Sequence, residues 1–98
     1  MTVRWTLEAL ERLIEIEDFI AQDNPTYARR FIEALIKHGE SLTKFPERGR
    51  HVREMADPQI RELILKNYRI VYRSNRDQIE ILTVFEEHRS FRIEEIKE

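Results

Sequence analysis

The chain predicts an α+β fold: a two-helix antiparallel hairpin packed on a mainly antiparallel, twisted sheet of four or five strands. The order is β-α-α-β-β-β, closed by a short C-terminal tail or helix. Three observations carry this. Two amphipathic helical patterns are separated only by Asp23-Asn24-Pro25, so the helices fold back on each other. Three stretches of β-formers follow one another through turns too short for crossovers, which makes them an antiparallel meander. The 98 residues contain 2 glycines and 3 prolines, with no linker and no repeat, as expected of one domain spanning residues 1–98.

Val3-Arg4-Trp5 reads as a short strand of β-formers. Thr6 is an N-cap, with Glu8 in the first turn of a helix over about 7–22. Leu10, Leu13, Ile14 and Ile20 recur at helical spacing on its predicted inner face. Asn24 caps a second helix, over about 25–43, and Pro25 takes its first position, where the missing N–H costs nothing. Ala28, Phe31, Ile32, Leu35, Ile36 and Leu42 form its apolar stripe, and Gly39 permits a close approach. Leu13, Ile14, Phe31, Leu35, Leu42, Ile70 and Val84 are the expected core.

Pro46 stops the second helix and Gly49 turns the chain. His51–Met55 is a weak strand candidate. Arg61–Leu65 and Tyr68–Arg73 form a hairpin through Lys66-Asn67, where Asn tolerates the left-handed backbone of a tight turn. In its second strand Tyr68, Ile70 and Tyr72 share one face, and Arg69, Val71 and Arg73 share the other. The last strand, Ile79–Phe85, alternates Ile79, Ile81, Thr83 and Phe85 against Leu82 and Val84. Being apolar on both faces, it is a central strand covered on both sides. The helices cover one side. Phe91, Ile93 and Ile96 of the tail, or a partner protein, cover the other.

Composition excludes several functions. With no cysteine there is no disulfide framework and no thiolate site. His38, His51 and His88 show no ligand spacing, and there is no Gly-rich phosphate loop, so neither metal nor cofactor is expected. No long apolar run and no signal-peptide pattern occur, which points to a cytoplasmic protein. A net charge of −2 argues against a general nucleic-acid binder. That average hides a basic middle. Residues 44–76 carry 9 basic and 4 acidic side chains, a net of +5, between acidic ends of −3 and −4. Such a patch either pairs with those ends or attracts phosphates or an acidic segment. Arg69 and Arg73, four residues apart on one face, repel unless an anion lies near. Glu62 or Glu80 on neighbouring strands, a partner's carboxylate, or a phosphate would each serve.

Several pieces, in this order and spacing, resemble the ParE/RelE superfamily of type II toxin–antitoxin toxins. They are Val3-Arg4-Trp5-Thr6, Ile20-Ala21-Gln22-Asp23-Asn24-Pro25, Phe45-Pro46-Glu47-Arg48-Gly49-Arg50, Arg61-Glu62-Leu63, Tyr68-Arg69-Ile70-Val71-Tyr72-Arg73, and Ile81-Leu82-Thr83-Val84-Phe85 with His88-Arg89. The long helix hairpin and the Phe-Pro-x-x-Gly-Arg turn resemble the ParE branch, the plasmid-stabilisation type. That resemblance implies a non-enzymatic toxin that inhibits DNA gyrase and is neutralised by a small ParD-like antitoxin. Its target- or antitoxin-binding residues would be Arg50, Arg61, Arg69, Tyr72, Arg73 and Arg89. The resemblance to the RelE branch implies an alternative, mRNA cleavage on the ribosome, with Arg69 and Arg89 stabilising charge and His51 or His88 as acid/base. Against that branch's pattern, no lysine lies between Lys44 and Lys66 and no tyrosine follows Tyr72. Glu86 holds the place where the ParE branch often has histidine. A degenerate member that only binds its antitoxin is the third alternative.

Overall fold

The computed structural model describes residues 1–87. Five strands and two α-helices follow in the expected order: β1 (Thr2–Trp5), α1 (Leu7–Ala21), α2 (Pro25–Glu40) with a 3-10 turn at Ser41–Thr43, β2 (Arg50–His51), β3 (Ile60–Leu65), β4 (Tyr68–Ser74) and β5 (Gln78–Glu86). The sheet order is β1-β5-β4-β3-β2. β2 to β5 are antiparallel neighbours, while β1 runs parallel to β5 at the edge. The strand expected at His51–Met55 is only the pair Arg50–His51.

Both helix starts carry the expected caps. The Ala9 N–H donates to Thr6 Oγ1 at 3.1 Å, and the Tyr27 N–H donates to Asn24 Oδ1 at 3.0 Å. Thr6 does more than cap, because its hydroxyl also donates to the Leu82 carbonyl at 2.9 Å and so pins α1 to β5. Thr6→Ala removes both bonds at a buried position. It is expected to cost about 1–2 kcal/mol in urea unfolding, most of it restored by Thr6→Ser.

The face of α1 differs from the expected one. Ala9, Leu13 and Ile16 are buried and Ile20 packs against them, whereas Ile14 is 60% exposed and Leu10 is 45% exposed. The inner stripe therefore runs about 60° around the helix from the predicted one. Leu13, Phe31, Leu35, Leu42, Ile70 and Val84 are buried as expected. Ile36 of α2 is also partly out, at 38%. Gly39 meets the ring of Trp5, where an added Cβ would stand 2.7 Å from Cζ2, so the close approach is to β1.

Two further corrections concern the strands. Positive φ falls on Lys66, at 54°, and not on Asn67. Strict alternation along β5 fails, because Val71 pairs with Thr83 and Tyr72 with Ile81, leaving Leu82 as the extra residue of a bulge. The bulge resets the faces. Ile79, Ile81 and Val84 join the helix-side core with Tyr68, Ile70 and Tyr72. Leu82 and Phe85 turn to the far side, where Val52, Ile60 and Val71 complete a second cluster with Met55 against it. The segment between β2 and β3 thus supplies apolar cover to the far face. The cover expected from Phe91, Ile93 and Ile96 lies outside the described residues.

Candidate functional site

The far face carries a buried ion pair. Arg69 points away from the helices, as the alternation of β4 requires, and is 8% exposed; Glu62 is 3% exposed. The Arg69 guanidinium donates through Nε to Glu62 Oε1 at 2.7 Å and through Nη2 to the same oxygen. Its Cζ lies 5.2 Å from the centroid of the Phe85 ring, a cation–π contact. The other oxygen of Glu62 accepts from Arg50 Nε at 2.8 Å. One carboxylate thus orients two arginines, from two strands. Arg69 Nη2 also reaches Glu54 at 3.5 Å.

These groups, with His51, Arg53 and Glu87, line a hollow of about 270 Å³. Three guanidinium groups face three carboxylates there, so the hollow is balanced in charge and is not a bare cationic platform. The repulsion expected between Arg69 and Arg73 is relieved by separate partners. Arg69 takes Glu62, and Arg73 Nη1 takes Asp57 Oδ2 at 2.7 Å. The Asp57 carboxyl is held below its ordinary range by the Gln59 backbone N–H and then by Arg73. Glu80, the other expected partner, binds Arg4 instead.

A second arrangement sits on the helix side of the same strands. Tyr72 is fully buried, and burial raises its pKa, so the phenol stays protonated and can donate. Its hydroxyl donates to the Pro46 carbonyl at 2.9 Å and accepts from the Gly49 N–H at 2.9 Å. Arg61 Nη1 donates to the Gly49 carbonyl at 2.8 Å. Gly49 is required by space: an added Cβ would lie 2.6 Å from both the Glu62 carbonyl oxygen and the Tyr72 hydroxyl. β3 and β4 thereby clamp the loop that follows α2.

Of the sequence-predicted site residues, Arg50, His51 and Arg69 meet at the hollow. Arg61 and Tyr72 hold the loop, and Arg73 ties the segment before β3 to β4. His88 and Arg89 lie outside the described residues. Glu54 and Asp57 were not singled out in the sequence. Asp57 was legible only as part of an Asp-Pro loop, which says nothing of which strand it returns to. Among the described residues, no group of three His, Cys, Asp or Glu side chains could hold a metal, and no helix is long and apolar enough to cross a membrane.

Fold and site together define a small α+β domain with an ion-paired hollow on one face of the sheet and a helix hairpin on the other. The profile of the family described as "ParE toxin of type II toxin-antitoxin system, parDE" matches residues 3–91. The chain belongs to that family of type II toxins. It is 40% identical over 91 residues to Y4kP of Sinorhizobium fredii, covering 91% of each chain. It is also 40% identical over 63 residues to Toxin RelE2 of Caulobacter vibrioides, covering 64% of this chain and 67% of that one. Two solved structures share the fold. One is the chromosomal ParDE toxin–antitoxin system from P. aeruginosa, with TM-score 0.73 and 22% identity over 88% of this chain and 95% of that one. The other is the toxin–antitoxin complex RelBE2 from Mycobacterium tuberculosis, with TM-score 0.65 and 24% identity over 87% of this chain and 88% of that one.

Proposed function

We propose that the chain is a binding toxin that acts in the cytoplasm, inhibits DNA gyrase without chemistry of its own, and is neutralised by a small co-encoded antitoxin. The observation that carries this reading is the engagement of Arg69. Phosphate chemistry at the hollow would need its guanidinium for the developing charge, yet it is buried on Glu62 with a ring at its side. A phosphate entering there would compete with three carboxylates.

A groove between α1 and the strands supports the antitoxin part. It is lined by Ile16, Phe19, Tyr68, Val84 and Phe85, and Phe19 is 66% exposed. An amphipathic helix or extended segment could lay its apolar side there. MRNA cleavage remains the second reading, because exposed His51 stands beside Arg50 and Arg53 on the rim of the hollow. A degenerate member that only binds its antitoxin would show neither activity.

The reading is tested by adding the purified protein to gyrase in a supercoiling assay, and in parallel to ribosomes translating a defined mRNA. Loss of supercoiling, with the mRNA intact and activity restored by the co-encoded antitoxin, is expected. Full supercoiling with cut mRNA would replace it with the ribonuclease reading.

A further inference from the structure

The turn from Phe45 to Arg48 is held more tightly than a connection needs. Its ends are closed by the Phe45 N–H on the Ser41 carbonyl at 3.2 Å and the Arg48 N–H on the Phe45 carbonyl at 3.0 Å. The Pro46 carbonyl is taken by buried Tyr72, and the Glu47 and Gly49 carbonyls by Arg61, at 3.4 and 2.8 Å. Arg48 Nη1 donates to Ser41 Oγ at 3.0 Å. On this fixed frame Phe45 stands 58% exposed, beside an open, mainly apolar concavity lined by Phe45, Pro46, Glu47 and Arg48.

A single exposed phenylalanine is ordinary. One presented on a turn fixed from two strands is a different object, because the ordering cost of binding has already been met in folding. Aromatic and arginine side chains are also the types that dominate interface energy. The neighbouring Lys44 and Arg48 are exposed, while Glu47 is drawn to Arg61 at 3.6 Å, which leaves the charge beside the ring mainly positive. This suits a partner surface with carboxylates around an apolar pocket. Single-stranded nucleic acid is served by several stacking rings along a groove, and the turn has one.

We propose that the Phe45–Arg48 turn is the docking knob with which this toxin engages its target: Phe45 enters an apolar pocket on a partner protein, and Lys44 and Arg48 meet the carboxylates around it. The proposal rests on the binding-toxin reading above.

The test compares colony counts after induction of the wild type, Phe45→Ser, Phe45→Leu and Arg48→Glu, with the melting temperature of each purified protein. Phe45→Ser is expected to raise survival at least about tenfold, the effect of losing an interface anchor, with the melting temperature unchanged and the antitoxin still bound. Phe45→Leu restores part of the killing, and Arg48→Glu weakens it. Undiminished killing by a folded Phe45→Ser overturns the proposal. If that variant melts early, Arg48→Glu decides, and full killing by it overturns the proposal. A labelled single-stranded RNA bound by the wild type and released by Phe45→Ser would reassign the knob to nucleic acid, and overturn it too. A wild type that does not arrest growth overturns the toxin reading itself, and this inference with it.

Discussion

Arg69→Ala is expected to lower the unfolding free energy by about 3–5 kcal/mol, the loss found when one member of a buried ion pair is deleted. The reason is what remains. Glu62 stays buried at 3% exposure, and its Oε1 loses the two hydrogen bonds it accepts from Arg69. Arg50 holds the other oxygen but is itself 66% exposed and cannot neutralise a buried carboxylate fully. A domain of this size is stable by only about 5–15 kcal/mol, so the variant should be partly unfolded at growth temperature. Arg69→Lys should recover part of the loss, since an ammonium cannot make the same two bonds. A combined Arg69→Met and Glu62→Leu replacement should recover more, because it removes the stranded charge. Urea unfolding of the three variants checks the order. A loss below about 1 kcal/mol for Arg69→Ala, with toxicity abolished, would instead move Arg69 into the target site.

Leu35→Ala is expected to cost about 2–5 kcal/mol, because Leu35 is fully buried in the helix-side core and the cavity left behind cannot collapse against the sheet. Ile14→Ala is the informative contrast. At 60% exposure it should change stability by no more than about 0.5 kcal/mol. The two measurements together test the face of α1 as well as the core. Equal losses would return Ile14 to the interior.

The helices were legible because their signals are local. Thr6, Asn24 and Pro25 mark starts through bonds made within one turn, and the stripe of α2 is unbroken. The inner face of α1 was harder to read. Leu7, Leu10 and Ile14 make one helical stripe and Ala9, Leu13, Ile16 and Ile20 make another, each with three large side chains, and the first is the exposed one. Periodicity cannot choose between two stripes of similar strength; the fit against the sheet chose. In the hairpin, the pairing of Arg69 with Glu62 could be named beforehand because the two strands are consecutive and Glu62 lies diagonally across from Arg69. The bulge at Leu82 could not be named, since nothing in the apolar run of β5 marks which residue is extra. The partners of Arg73 and of the Phe45–Arg48 turn were also hidden. They depend on where loops return in space, and neither turn composition nor charge spacing encodes that.

The parallel pairing of β1 with β5 sets a timetable for synthesis. Thr6 finds the Leu82 carbonyl 76 residues further along the chain. At about 5–20 residues per second, roughly 4–15 s pass between synthesis of the first strand and of β5, its neighbour in the sheet. The α1–α2 hairpin can form early from its own contacts, but its sheet-facing stripe has nothing to close on until β3, β4 and β5 follow. From the synthesis of Glu40 until that of β5, a nascent chain therefore carries a helix pair with a bare apolar side. The sheet that holds the ion pair and the clamped loop closes only once β5 is made.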